Sequence, residues 1–278
     1  MSAQRFRAWH VRRLLSAVAL LGIMLSVAFP VNAQRAAVER PDAAMLQNGD
    51  LIWPRNPKAI VPYDSGHETA REAVQKQWEV ERDVFVARVR QDPASSQEAR
   101  QLATNLEALS YGDFALQYLA NVQKSDIEKY GGIDDILSVG HVGIVEVAAD
   151  GRRYVIEAVW GAIKKVQRVG YEEWLKGRAD AWVWVGRLTR LPDATKQKVV
   201  EQAKSYLDRP YNFWNFDLGD DSSFYCSKLV WLSYFRAVGE PIDRKPARRD
   251  FWFSPKQLWN LHSSGAVTQI NVPREYSY

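Results

Sequence analysis

Apolar residues between His67 and about Lys124 recur at helical spacing, which predicts a mostly helical stretch. One apolar stripe ends before Pro93 and a second begins after it. The two stripes consist of Ala70, Ala73, Val74, Trp78, Phe85 and Val89, and of Ala99, Leu102, Ala103, Leu106 and Leu109. A third helix is expected after Asp113. Stripes of this kind are packing surfaces, so we interpret residues 65–135 as a helical insertion that forms a lid or a side subdomain.

Short strand patterns lie on both sides of this insertion. Leu51-Ile52-Trp53 follows an Asn-Gly-Asp turn and is expected to end at Pro54, because proline cannot donate a hydrogen bond to a sheet. After the insertion, strands are predicted at about 141–147, 154–159, 162–169 and 181–186, and helices at about 171–176, 193–207, from Ser222 or Ser223 to 237, and from Ser254-Pro255 onward. Residues 34–278 are therefore expected to form one α+β domain that the insertion interrupts.

Residues 1–33 have the order of an export signal. Four arginines and no acidic residue precede an apolar run of 16 residues, and Val31 and Ala33 occupy the two positions that a signal peptidase reads. The run is shorter than the roughly 18–20 residues that span a membrane, and no lipid-accepting cysteine follows it. We expect a soluble protein that begins near Gln34 and is exported to the periplasm. An uncleaved membrane anchor is the alternative, and Arg12-Arg13 also fits twin-arginine export.

The formal net charge of +4 comes from the same N-terminal segment. The chain has 37 basic and 33 acidic residues, so without the four arginines of residues 1–33 the remainder is neutral. Binding to nucleic acid requires a clustered positive field. The remaining basic cluster, Arg244-Lys245 with Arg248-Arg249, is short and flanked by Asp243 and Asp250. We therefore expect no nucleic-acid partner, and no stable membrane span once the signal is removed.

Cys226 is the single cysteine of the chain, which excludes an intramolecular disulfide and a multi-thiolate zinc site. With Ser222 as N-cap, Cys226 occupies the fourth position of the predicted helix, close to the positive end of the helix dipole. That position favours the thiolate and is typical of nucleophilic cysteines. A buried, inert cysteine is the alternative.

Three histidines remain after signal removal as candidate bases for this cysteine. His67 and His262 lie in polar turns and are expected at the surface. His141 begins a strand and is followed two residues later by Gly143, which leaves the strand face beside the imidazole open. We therefore predict that His141 is the base.

The hairpin formed around residues 149–151 identifies a third candidate. If these residues form a three-residue loop whose final glycine has a positive φ, the numbers of paired residues sum to 300. Glu157 then lies opposite Gly143, on the face of His141 and about 7–8 Å from it between Cα atoms, which a glutamate side chain can cross. Glu157 would hold the histidine tautomer; the alternative is an ion pair with a surface arginine such as Arg168.

Five segments occur in an order typical of a known family. They are Gly49-Asp50-Leu51-Ile52, Gly140-His141-Val142-Gly143-Ile144, Val155-Ile156-Glu157-Ala158, Arg209-Pro210-Tyr211-Asn212-Phe213 and Tyr225-Cys226-Ser227-Lys228-Leu229-Val230. In this order the chain resembles the circularly permuted NlpC-type papain-like cysteine hydrolases, and among them the YiiX/YebB-like group, in which the histidine precedes the cysteine. The resemblance implies an α+β, permuted papain-like fold with a small antiparallel sheet packed against the helix that carries the cysteine.

The same resemblance implies roles for four residues. Cys226 would be the nucleophile, His141 the base, Glu157 the polar residue that orients the histidine, and Tyr211 a substrate-binding tyrosine near the nucleophile. We expect neither a metal ion nor a cofactor. Lys228 departs from the family pattern, because many relatives carry an acidic residue there, and this puts the local charge and the substrate preference in question.

Together these residues predict acyl transfer through a thioester, with the oxyanion bound by backbone N–H groups at the helix start. A peptide amide of the cell envelope is the expected substrate. Because the fold does not choose the substrate, two alternatives remain: a lipid-directed acylhydrolase or acyltransferase with the same triad, and a non-catalytic binding protein. Trp160, Trp214 and Trp231 flank the site in sequence and either line an acyl or aromatic groove or pack in the core.

Overall fold

A computed structural model of the chain describes residues 40–55, 68–114, 140–160, 162–179, 181–244 and 252–273. The predicted export signal, His67 and the second part of the insertion lie outside the described residues. The basic cluster is described only at Arg244. Within the described ranges, no helix is both long and apolar enough to cross a membrane.

A six-stranded antiparallel sheet forms the centre of the fold. Its strands are β1 (Leu51–Arg55), β2 (Gly143–Val147), β3 (Arg153–Val159), β4 (Lys165–Gly170), β5 (Trp182–Arg187) and β6 (Thr268–Asn271). They lie in the order β4-β3-β2-β1-β5-β6, and every neighbouring pair is antiparallel. Strand β1 therefore joins the hairpin β2–β3 to the rest of the sheet, although the helical insertion separates them in sequence.

The β2–β3 hairpin has the register predicted from its loop. Ile144 pairs with Ile156 and Val145 with Val155, so the numbers of paired residues sum to 300. Gly151 has a φ of 80° and donates its N–H to the carbonyl of Ala148. The three-residue loop is confirmed, and with it the placement of Glu157 on the face of His141.

Seven helices accompany the sheet in the described part of the chain. They are α1 (Glu68–Gln91), α2 (Gln97–Ala108), α3 (Tyr111–Phe114), α4 (Tyr171–Lys176), α5 (Asp193–Ser205), α6 (Cys226–Val238) and α7 (Pro255–Asn260). Helices α5 and α6 pack against one sheet face, and α4 packs against the other through Tyr171, Trp174 and Leu175. Helix α6 ends as predicted before Gly239, which has a φ of 86°, and α7 begins with the predicted Ser254 cap.

The insertion helices belong to the same hydrophobic core as the sheet. Trp78, Phe85 and Phe114 are buried in one cluster with residues of β2, β3 and α6. The Phe114 ring lies 5.7 Å from that of Trp214, and the Phe85 ring 6.3 Å from that of Phe216, measured between centroids. The described part of the predicted apolar stripes is thus a packing surface, and α1–α3 are built into the core.

Several elements differ from the sequence-based expectation. Pro54 lies inside β1 and not at its end; there β1 pairs with β5, and the described pairing of β1 with β2 covers Leu51 and Ile52. Strand β4 begins at Lys165, after a turn in which Lys164 has a φ of 47°. Helix α3 begins before Asp113, and β6 was not predicted.

Candidate active site

Cys226 is the first residue of α6, and Tyr225 is the N-cap. The expectation that Ser222 caps this helix and that Cys226 occupies its fourth position is wrong. Ser222 instead donates to the Asp220 carboxylate, and Phe224 bridges to Tyr211 in extended conformation, so the helix begins later. Cys226 is consequently nearer to the unpaired N–H groups of the helix start than predicted.

Both neighbours of Cys226 are fixed to the segment before α7. The Tyr225 hydroxyl accepts a hydrogen bond from the backbone N–H of Phe253 at 3.1 Å. The Ser227 hydroxyl donates to the carbonyl of the same residue. Tyr225 and Ser227 are both fully buried, so these bonds hold the backbone around the cysteine. Sequence reasoning missed this clamp, because it joins residues 26 and 28 positions apart.

His141 lies just before β2 and connects Cys226 with Glu157. Its Nε2 lies 2.7 Å from Glu157 Oε2, and the Cys226 side chain lies close enough to the imidazole to act on its pKa. Burial lowers the pKa of His141, but the hydrogen bonds and charges of Cys226 and Glu157 outweigh it and raise the pKa to about 9. The site therefore favours imidazolium, the state that accompanies a thiolate in cysteine hydrolases.

Glu157, on β3, is completely buried and accepts hydrogen bonds from four side chains. The donors are His141 Nε2, Trp174 Nε1 at 2.8 Å, Gln167 Nε2 at 2.9 Å and Arg178 Nη2 at 2.9 and 3.0 Å. Burial raises the pKa of this carboxyl, but His141, Arg178 and Trp174 outweigh burial and lower it to about 2. The carboxylate thus stays ionised and fixes one imidazole nitrogen, which leaves the other for Cys226.

Sequence reasoning found His141 for this carboxylate but none of the other three donors. Gln167 is the β4 residue paired directly with Glu157, and Trp174 lies on α4. Arg178 follows α4 and also lies over the Trp174 ring, 4.3 Å from its centroid. The sequence signal for Trp174 and Arg178 was the short amphipathic helix after β4. The packing of this helix onto β3 depends on the β4 register, which the sequence alone does not provide. Arg168, the alternative partner considered for Glu157, binds Glu146 instead.

Tyr211 lies next to the cysteine, where the resemblance places a substrate-binding tyrosine. Burial, followed by the charges of Cys226 and Tyr225, raises the pKa of Tyr211 well above its ordinary value. Its backbone N–H donates to the carbonyl of Lys164 at 2.8 Å. Its ring meets that of Trp160 edge-on with 5.5 Å between centroids.

The remaining candidates lie elsewhere. Nδ1 of His262 lies 2.7 Å from the carbonyl of Trp259, at the end of α7. Trp214 and Trp231 are buried in the core, whereas Trp160 is 39% exposed. Lys228, which departs from the family pattern, is fully buried. Among the described residues, no group of three or more histidine, cysteine, aspartate or glutamate side chains is arranged to hold a metal ion.

Comparisons with known proteins found one matching family and two similar chains. The model of a family described as permuted papain-like amidase enzyme, YaeF/YiiX, C92 family, matches residues 109–262, a range that contains all four predicted site residues. The uncharacterized protein YiiX of Escherichia coli (strain K12) is 29% identical over 148 residues, which are 53% of this chain and 68% of that protein. The crystal structure of the metalloprotein yiiX from Escherichia coli O157:H7 is 21% identical, covers 55% of this chain and 92% of that one, and gives a TM-score of 0.38.

Proposed function

The chain belongs to the permuted papain-like amidase family of the YaeF/YiiX type, and from this premise we propose that it is an exported cysteine hydrolase that cleaves a peptide amide of the cell envelope through a thioester. The family supports an amide hydrolase. The thioester, the export and the envelope substrate are inferences from the residues. The observation that carries the catalytic proposal is one imidazole that bonds a buried carboxylate and lies beside the helix-start cysteine.

The proposed reaction uses the three residues in turn. The Cys226 thiolate attacks the amide carbonyl carbon, and N–H groups of the first turn of α6 bind the oxyanion. His141 imidazolium gives its proton to the leaving nitrogen as the C–N bond breaks, which leaves a thioester on Cys226. Water then attacks the thioester and His141 takes one proton from it; the C–S bond breaks, the carboxylic acid is released, and the Cys226 thiolate and the His141 imidazolium are restored. Glu157 keeps its charge throughout and stabilises the imidazolium.

The proposal of export to the periplasm is supported by the basic, apolar and small-residue order of residues 1–33. An envelope peptide is the substrate class to which a periplasmic amidase has access.

A lipid-directed acylhydrolase is a second candidate, and one observation favours it. The exposed Trp160 contacts Tyr211, and the exposed Ile163 precedes Lys164, whose carbonyl accepts the Tyr211 N–H; an acyl chain could lie on this surface. Both candidates use the same cysteine but leave different acyl groups on it, so the mass of the acyl-enzyme separates them.

The catalytic assignment is tested by alkylation and turnover together. We expect iodoacetamide to alkylate Cys226 at neutral pH faster than it alkylates glutathione. His141→Ala should slow this alkylation and abolish turnover. His262→Ala is the matched control, because its imidazole bonds the Trp259 carbonyl, and should change neither.

The acyl-enzyme itself is tested by mass spectrometry of the whole protein after incubation with envelope extract. We expect an acyl adduct on Cys226 whose mass identifies the substrate, and none on Cys226→Ala. If Cys226 alkylates like an ordinary thiol and carries no adduct, the protein is a non-catalytic binding protein.

A further inference from the structure

Four residues beside the candidate active site form a partly exposed surface that the proposed chemistry does not use. We call this surface, made of Trp160, Ile163, Lys164 and Tyr211, the aromatic patch. Trp160 is 39% and Ile163 50% exposed, although large apolar side chains are usually placed where folding removes them from water.

The aromatic patch is held in place by local bonds. The Lys164 carbonyl accepts the Tyr211 N–H, and the Lys164 ammonium lies over the Trp160 ring, 5.2 Å from its centroid. Lys164 has a φ of 47°, which is uncommon for a residue other than glycine. The turn therefore keeps a strained backbone while it presents an apolar surface and a positive charge.

The aromatic patch is continuous with the nucleophile. Tyr211 forms a β-bridge with Phe224, two residues before Cys226, and the Tyr211 ring contacts that of Trp160. A group bound on Trp160 thus lies against the tyrosine that is bridged to the segment leading into the nucleophile. Such proximity is expected for a surface that binds the substrate, because binding energy next to the reacting atoms also orients them.

We propose that the aromatic patch is a substrate subsite that binds an apolar group next to the cleaved amide, with Lys164 attracting an anionic group on the same half of the substrate. This inference rests on the proposed function, in which Cys226 is the nucleophile. It narrows the substrate class to amides that carry an alkyl or aromatic group together with a carboxylate or another anion.

Maleimides test the subsite without turnover, since they add to Cys226 directly. For each maleimide, the rate of addition to Cys226 is divided by its rate of addition to glutathione. We expect this ratio to rise from N-ethylmaleimide to N-hexylmaleimide, by about two- to fourfold for each methylene group that the aromatic patch covers. N-Benzylmaleimide carries an aromatic group where N-hexylmaleimide carries an alkyl chain. If the benzyl compound reacts faster, the natural occupant is an aromatic side chain; if the hexyl compound reacts faster, it is an acyl chain. At low salt, the carboxylate of 6-maleimidohexanoate should raise this ratio by a further factor of up to about five.

Variants then assign these gains to individual residues. Trp160→Ala and Ile163→Ser should each reduce the chain-length gain, and Lys164→Glu should reverse the carboxylate preference. Val84→Ser is the matched control, since Val84 is an exposed valine on α1 (58% exposed), and it should keep the full gain. Dividing every rate by that of iodoacetamide, which has no chain, removes any change in the thiol itself.

A flat chain-length series, or a gain that survives both Trp160→Ala and Ile163→Ser, would overturn the subsite. The proposed function fails by a different result, an iodoacetamide rate like that of a free thiol with no turnover. The two readouts are separate. If iodoacetamide reacts with Cys226 as with a free thiol but the maleimide rate still rises with chain length, the aromatic patch binds apolar groups and the proposed catalysis is rejected.

Discussion

The Glu157 carboxylate receives donors from four side chains, and two of them are or can be cationic. A buried carboxylate without such partners would take up a proton, whereas burial here is outweighed and the pKa falls to about 2. The residue is therefore a permanent negative charge at neutral pH. Its function in the proposed reaction depends on that charge more than on its shape.

Replacing Glu157 with glutamine removes the charge and keeps a hydrogen-bonding side chain of the same size. We expect Glu157→Gln to lower kcat/KM by roughly 10²- to 10⁴-fold, because the imidazolium loses its counter-ion. The variant should also lose stability, because Arg178, whose side chain is 24% exposed, loses its ionic partner. Steady-state kinetics and thermal unfolding measure the two effects, and turnover like that of the parent would exclude Glu157 from the reaction.

Arg178 does not touch the reacting atoms, and we predict that it positions and charges Glu157. Arg178→Met leaves the bonds from His141, Trp174 and Gln167 but removes the cation that lowers the Glu157 pKa. That pKa should rise, so the acidic limb of kcat/KM against pH should move upward by roughly one unit. Arg178→Lys restores a charge but not the planar guanidinium whose Nη2 reaches both Glu157 oxygens, and it should restore part of the shift. A merely structural arginine would lower Tm and leave the pH limb where it is.

At the scale of elements, the β2–β3 hairpin brings His141 and Glu157 together, and Gly143 sets the distance between the strands there. A Cβ at position 143 would lie 2.7 Å from Val155 Cγ1, closer than real Cβ contacts allow, and 3.2 Å from the Ile156 carbonyl oxygen, a tight contact. The end of the hairpin that carries the site therefore requires a glycine.

We expect Gly143→Ala to lower the free energy of unfolding by about 1–3 kcal/mol, as overpacking does, and to lower kcat/KM as well, because the strand ends that hold His141 and Glu157 must separate. Gly170→Ala is the control, since a Cβ there meets nothing within 4 Å and its φ is −57°. Thermal unfolding and kinetics measure both variants. Equal behaviour of the two would show that the close approach at Gly143 is unimportant.

The parts of the site that could be predicted are those that local geometry determines. The His141–Glu157 pair followed from one odd-numbered loop, because register in a short hairpin fixes every facing residue. The start of α6 was predicted three residues early, because Asp220 binds Ser222 and removes it as a cap. The contacts of Arg178 and Trp174 with Glu157 depend on how α4 packs back onto β3, and the hydrogen bonds to Phe253 depend on how α7 docks. Neither arrangement is encoded in a local sequence pattern.

The stability of the whole protein depends on pH through two groups near the start of α6, His141 and Lys228. Their contributions to the free energy of unfolding change in opposite directions as the pH rises. The folded pKa of His141 is raised to about 9, so its stabilisation is complete below its ordinary pKa of 6.5 and is lost as the pH rises through 9. Burial lowers the pKa of Lys228 to about 7, against the attraction of Asp220 and Asp217. Its buried charge therefore destabilises the fold fully below pH 7, and this cost declines as the pH rises toward 10.5.

Lys228 is fully buried in the first turn of α6, and its ammonium is poorly compensated. Within the described ranges, its Nζ has no hydrogen-bond partner, and the Asp220 oxygen with which it forms an ion pair is 3.9 Å away. Asp220 also accepts hydrogen bonds from Asn215 and Ser222, so it does not depend on the lysine. Replacing a buried, weakly paired charge with an apolar side chain of similar volume is commonly stabilising.

We therefore expect Lys228→Met to raise the free energy of unfolding by about 1–4 kcal/mol at pH 6 and by less at pH 10, where the folded protein already holds a neutral amine. Denaturant unfolding at pH 6, 8 and 10 measures the trend. Lys196→Met is the control, because the Lys196 side chain is also largely buried but its Nζ bonds Asp193 at 2.9 Å, and it should show no stabilisation that fades with pH. If Lys228→Met is less stable than the parent at every pH, the ammonium contributes favourably to the fold, and its long contact with Asp220 is a structural ion pair.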